Sequence, residues 1–207
     1  MSPVERLIED AAALGVAVSA ADAARLLQLI EELGRWNRSV NLTAITDPGA
    51  MVTQHLLDSL SVSPDLAGSR IADAGTGAGF PGLPLALANP QRHFTLIDAT
   101  AKKLRFVAHA VRLLNLANVT VRHARVEALS GAPFDTVVAR AFAPLPRLLR
   151  QVAPLAGPAT RVLAMKGRWP EAEIAALPPG WRVESSREIR IPGLDAAHCL
   201  IVLTRSL

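Results

Sequence analysis

One cysteine, three lysines and no tyrosine are found among 207 residues. The lone Cys199 rules out a disulfide framework and any metal site built from several thiolates. A reducing, intracellular setting is then the default expectation, and no bound metal is expected. Long apolar runs are also missing, so no segment is expected to cross a bilayer. The opening Met1-Ser2-Pro3-Val4-Glu5-Arg6 continues amphipathically and lacks the build of a secretory leader. These absences predict a cytoplasmic protein with no membrane partner.

What is present is a hydrophobic half, enough for one core in one domain, or one domain with a modest appendage. The net charge is +4 and the pI is near 10.2. With only three lysines among 22 basic residues, arginine supplies nearly all of that charge. Such a balance is compatible with a polyanionic partner but does not require one. The lysines Lys102, Lys103 and Lys166 are more telling, because each lies beside a motif described below.

The first sixty or so residues have helical periodicity. Ser2-Pro3-Val4-Glu5 predicts an N-cap, a proline at the first helical position and a capping-box glutamate. Ser19 and Asp22 give a weaker version of that box, and Asp47-Pro48 opens a third helix carrying Met51, Val52, His55, Leu56 and Ser59 along one side. From Arg70 the pattern becomes strand–helix alternation. Short apolar runs occur at 70–74, 94–98, 119–123, 136–139 and 161–164, as expected of βαβ units around a parallel sheet. The runs 182–191 and 198–204, joined by Pro192-Gly193-Leu194-Asp195, predict a terminal antiparallel hairpin. The expected architecture is a Rossmann-like, doubly wound α/β sheet, mostly parallel, with that hairpin at its C-terminal end. Residues 1–64 form an N-terminal helical segment packed on a main domain of residues 65–207.

Asp73-Ala74-Gly75-Thr76-Gly77-Ala78-Gly79-Phe80-Pro81-Gly82 follows the first predicted strand directly. Alternating glycines remove Cβ atoms where the chain must turn sharply and let a ligand approach the backbone closely. Asp73 can reach an ammonium group or order the loop's N–H groups. Residues 77–82 also satisfy G-x-G-x-x-G, the dinucleotide fingerprint, so a dinucleotide-dependent oxidoreductase is a rival reading. The acid two residues before the first glycine and the terminal hairpin favour S-adenosylmethionine instead, on a class I methyltransferase fold. Asp98 closes the second strand beside the loop. There it can accept both ribose hydroxyls of either cofactor, or cap the next helix.

With these residues assembled, the chain resembles the bacterial small-subunit (16S) ribosomal RNA guanine-N7 methyltransferases, the glucose-inhibited division protein B family. The resemblance runs through Arg35-Trp36-Asn37, Asn41-Leu42-Thr43, His55-Leu56-Leu57-Asp58-Ser59 and the loop 73–82. It continues through Asp98, Lys102-Lys103, Arg105-Phe106, Arg125-Val126-Glu127, Phe134-Asp135, Arg140-Ala141-Phe142-Ala143 and Ala164-Met165-Lys166-Gly167. It implies cofactor contacts at Gly75, Phe80, Val126, Glu127 and Arg140; the loop residues Asp73 and Gly77, and Asp98, join that set from the reading above. It also implies methyl transfer to N7 of one guanine, with small-subunit ribosomal RNA or an assembling 30S subunit as partner and S-adenosylhomocysteine as product. A monomer is expected. Ala99-Thr100-Ala101 and Met165 depart slightly from the family's pattern.

The residues agree with a chemically undemanding transfer. Guanine N7 carries a lone pair and no proton at neutral pH, so alignment matters more than a general base, and alignment can supply on the order of 7–11 kcal/mol. Past the fourth strand, Val138-Ala139-Arg140-Ala141-Phe142 lacks the Asn/Asp-Pro-Pro-aromatic signature of amino methylation. Cys199, in an apolar run far from the loop, reads as core and not as a pyrimidine nucleophile.

Arg140 is the expected catalytic residue, binding the cofactor carboxylate or a guanine edge or phosphate; a structural ion pair with Asp135 or Glu127 is the alternative. Lys102, Arg105, His109 and Arg112 share one helical face, either solvated or touching RNA. Lys166 could reach a phosphate or a base edge, or be a surface lysine before a turn. His55 reads as a satisfied, partly buried histidine and Trp36 as an anchor for the helical segment. Asn41 and Thr43 could cap a turn or touch substrate. A third reading keeps the domain as a mere binder of adenosylmethionine or RNA.

Overall fold

In the computed structural model, residues 1–195 and 198–206 are described. Helices α1 (Pro3–Ala13) and α2 (Ala20–Val40) begin as their caps dictate. Ser2 Oγ accepts from Glu5 N while Glu5 Oε2 accepts from Ser2 N, a complete capping box. Asp47 Oδ2 accepts from Ala50 N at 2.7 Å and starts α3 (Pro48–Met51). The helix then widens to a π turn over Val52–Leu57 before α4 (Asp58–Leu60).

Seven strands follow: β1 (Arg70–Ala74), β2 (His93–Asp98), β3 (Val119–His123), β4 (Phe134–Arg140), β5 (Ala156–Lys166), β6 (Trp181–Ile189) and β7 (His198–Arg205). They form one sheet in the order β3-β2-β1-β4-β5-β7-β6. The first five pair in parallel, while β7 runs antiparallel to both β5 and β6. Strand order reverses between β1 and β4, which places a ligand crevice beyond their carboxyl ends. Between strands lie α5 (Gly82–Ala88), α6 (Ala101–Leu113), α7 (Leu145–Val152) and the short α8 (Glu171–Ala175).

Both faces of the central strands are buried, and the period-two alternation sorts their side chains. Ile71, Phe94, Leu96, Val138, Leu163, Leu200 and Val202 point to one apolar cluster shared with α1, α2, α5 and α6. Ala72, Ile97, Val137, Ala139, Val162, Ile201 and Leu203 point to a second under α7. The first cluster runs unbroken from Leu7 and Leu26 to the sheet, so the N-terminal helices share the core of the strands. Trp36 meets Phe106 of α6 edge to face at 5.7 Å between ring centres, the expected anchor. Cys199 is buried, as expected. No described helix is long and apolar enough to cross a membrane.

Candidate active site

The carboxyl ends of β1, β2, β3 and β4 bring the glycine loop, Asp98, Val126–Glu127 and Arg140 to one edge of the sheet. A crevice of about 270 Å³ there is lined by Gly75, Asp98, Val126, Glu127, Arg140 and Phe142, among others. Five of the expected cofactor residues therefore meet at one cavity. Lys103, not Lys102, joins them.

Asp73 does not line that cavity. It is 1% exposed, and its Oδ2 accepts from Thr76 Oγ1 at 2.6 Å and from Gly82 N at 2.8 Å. Of its two sequence-level roles, the structure shows the second: it orders the loop from beneath. Its Oδ1 has no partner among the described residues. Burial raises its carboxyl pKa from 3.8 to about 6 despite those two donors. Gly77 N donates to Asp98 Oδ2 at 2.9 Å and Thr100 N donates to Asp98 Oδ1 at 2.7 Å. Asp98 thus ties the loop to the start of α6, and each oxygen keeps a lone pair for a further donor.

A second cavity of about 370 Å³ adjoins the first across Arg140 and Ala141. Ile45, His55, Asp58, Lys166, Gly167 and His198 are among its walls. Arg140 is held by the N-terminal segment and not by Asp135 or Glu127, the partners its sequence position offered. Its Nη1 donates to Asp58 Oδ2 at 3.1 Å and to Gln54 O at 2.9 Å. Asp135 instead accepts from the amides of Ser69 and Arg70 at the far end of β1. The Gln54 bond falls within the π turn, where Asp58 N reaches back to Thr53 O, five residues earlier.

Phe80 is buried, stacked on the His55 ring at 4.9 Å, with the Arg140 guanidinium 5.8 Å from its ring centre. His55 Nε2 lies 2.9 Å from Thr43 Oγ1, and its Nδ1 lies 3.4 Å from Arg140 Nη2. Because the guanidinium only donates, Nδ1 accepts and the proton sits on Nε2. Burial first, then the Arg140 charge, lowers the His55 pKa to about 4. The satisfied, neutral histidine expected at this position is what the fold contains. Asp58 Oδ1 accepts from His198 Nδ1 at 2.9 Å, and that bond raises the His198 pKa.

Lys166 is committed. Its Nζ donates to Glu173 Oε2 at 2.7 Å and to Ala143 O at 3.1 Å, and Glu173 Oε2 also accepts from Leu145 N. This clasp fixes the segment after β4, where Ala141 takes a positive φ of 48°. Lys102, Arg105 and Arg112 are exposed and line neither cavity, whereas His109 turns inward to Glu32 Oε2 at 3.1 Å. Asn41 ends α2 with φ 51°, and Thr43 contacts His55, so both serve structure.

A family model described as rRNA small subunit methyltransferase G matches residues 22–202. The chain belongs to this family. It is 44% identical over 204 residues to the ribosomal RNA small subunit methyltransferase G of Pseudomonas paraeruginosa, covering 98% of this chain and 95% of the relative. It is also 44% identical over 185 residues to the protein of that name from Xanthomonas oryzae, covering 89% and 87% respectively. A SAM-dependent methyltransferase structure from Aquifex aeolicus superposes with a TM-score of 0.57 at 18% identity, covering 86% of this chain and 98% of that one. A protein of the NADB-Rossmann superfamily from Streptococcus agalactiae superposes with a TM-score of 0.59 at 12% identity, covering 72% and 68%. Those two likenesses show the fold alone and do not separate the two cofactor classes. Membership in the methyltransferase G family does, against the dinucleotide reading.

Within this family member, the donor set suits the nucleoside-bearing cofactor. Carboxylates at Asp98 and Glu127 are acceptors for hydroxyl and amino groups, Arg140 is a donor to a carboxylate, and Gly77 leaves open space where a Cβ would stand. Sequence reasoning missed Asp58 and His198 as members of the site. Asp58 carried a usable signal, a carboxylate inside the apolar run His55–Leu60; His198, at the start of a strand, carried none.

Proposed function

We propose that this enzyme transfers the methyl group of S-adenosylmethionine to N7 of a guanine in small-subunit ribosomal RNA. One observation carries the proposal: Arg140 stands in the shared wall of two adjoining cavities, one lined by the nucleoside-holding residues and the other open to a base. When bound, the donor supplies an electrophilic methyl carbon on a sulfonium. Asp98, Val126 and Glu127 would hold its nucleoside end, and Gly77 leaves open space beside the loop backbone.

The base enters the second cavity. Arg140 is a donor suited to guanine O6; adenine has an amino donor there instead. N7 has a lone pair and no proton, so the residues here would need only to align the base with the donor's methyl group and would move no proton. The residues agree with that economy: His55 is neutral with both ring nitrogens engaged, and Cys199 is buried in β7.

Purified protein, radiolabelled S-adenosylmethionine and either protein-free small-subunit RNA or 30S subunits test the proposal. Mass spectrometry of the digested RNA should show a single N7-methylated guanine. Label on another atom, or no label on either substrate, would overturn it.

A further inference from the structure

Trp169 is 56% exposed, and among the described residues only Met1 at the chain's start is a more exposed large apolar side chain. An exposed indole offers a flat, rigid apolar face on which a planar ligand can stack. Its location is specific. Lys166 and Gly167 line the proposed base cavity, and Arg168 and Trp169 follow at once. The loop then returns to the same wall, because Pro170 is buried and Glu173 accepts from Lys166 Nζ at 2.7 Å. Trp169 therefore sits on a short loop clasped at both ends to the cavity rim. Arg168 beside it is exposed and makes no ion pair among the described residues.

We propose that Trp169 is a stacking platform for the nucleobase next to the target guanine, with Arg168 contacting the adjoining phosphate. The proposal rests on the ribosomal RNA reading above and extends it to the flanking nucleotide. A base that enters this cavity leaves its own stack, and its neighbour then loses a stacking partner. An exposed indole at the cavity rim replaces that partner for any base, since each base has a π face. The neighbouring guanidinium matches the charge of the backbone there. Continuity with the cavity and this charge match favour RNA over a protein as the occupant.

The chain has three tryptophans; Trp36 is packed on Phe106 and His109, and Trp181 is buried under Arg205. Titration with a single-stranded RNA oligonucleotide spanning the target should quench tryptophan fluorescence in the native chain. The quench should vanish in Trp169→Phe and weaken when the flanking base is replaced by an abasic site. Trp169→Ala should raise KM for RNA about tenfold, with KM for S-adenosylmethionine unaffected, and Trp169→Phe should recover most of that loss.

Quenching that persists in Trp169→Phe, no quenching at all, or a native KM in Trp169→Ala would overturn the proposal. A defect seen only with 30S subunits and never with RNA would overturn it in favour of a protein contact. A native chain that methylates no ribosomal RNA would instead sink the underlying reading.

Discussion

Arg140 and Asp58, 82 residues apart in sequence, are joined by a 3.1 Å ion pair that fastens the end of β4 to the N-terminal segment. Asp58 is nearly buried and carries two partners, the Arg140 guanidinium on one oxygen and the His198 ring on the other. Removing a buried counter-charge costs more than the pair contributes, because the charges left behind are unpaired. Asp58→Ala should therefore destabilise the fold by about 3 kcal/mol in urea titrations. Arg140→Ala leaves Asp58 with His198, so it should cost less stability while turnover falls on the order of a hundredfold, the usual penalty for a misplaced reactant. Native stability in the first variant together with native turnover in the second would refute this account.

That pair also shows what the sequence could and could not reveal. The strands, their order class and the terminal hairpin were legible because apolar period and glycine placement are local properties. So were the Ser2, Ser19 and Asp47 caps, each confined to three or four residues. Of the crevice residues, Asp98 followed from its place at a strand end, whereas Gly75, Val126, Glu127 and Arg140 came from the family resemblance. Asp58 and His198 did not, because their roles depend on three elements converging. The π turn that carries Gln54 has no periodic signature either. The clasp of Lys166 with Glu173 was not legible either, because it joins a strand end to a five-residue helix that the sequence does not announce.

Two buried groups make the acid dependence of stability testable. The His55 pKa is lowered from 6.5 to about 4, so its contribution is complete above pH 6.5 and lost as pH falls toward 4. The Asp73 pKa is raised from 3.8 to about 6, so its contribution is complete below pH 3.8 and lost as pH rises toward 6. Between about pH 4 and 6 the two slopes oppose each other. The bond to Asp58 raises the His198 pKa, so its contribution is lost as pH rises, in the native chain and in an Asp73 variant alike. Asp73→Asn removes only the Asp73 slope. Its stability should fall on acidification more steeply than the native chain's, by up to about 1.4 kcal/mol per pH unit. Urea titrations at several pH values across the window measure this, and parallel profiles for the two proteins would contradict it.

The loop glycines are separable by what stands over them. Gly75 and Gly77 both have positive φ, 73° and 59°, so alanine at either carries a backbone cost of about 1–2 kcal/mol. A Cβ at Gly77 meets nothing, whereas one at Gly75 would overlap the Phe142 ring. Gly75→Ala should therefore be clearly the more destabilising of the two. Removing the ring relieves only the steric part, so Phe142→Ala should rescue Gly75→Ala in part and leave Gly77→Ala unaltered. A double-mutant cycle read by urea unfolding isolates that coupling. The ring also helps wall the crevice, so Phe142→Ala should reduce the thermal shift that S-adenosylhomocysteine gives. Equal costs for the two glycine variants, with no coupling to Phe142, would mean that close approach of the ring is not what requires glycine at position 75.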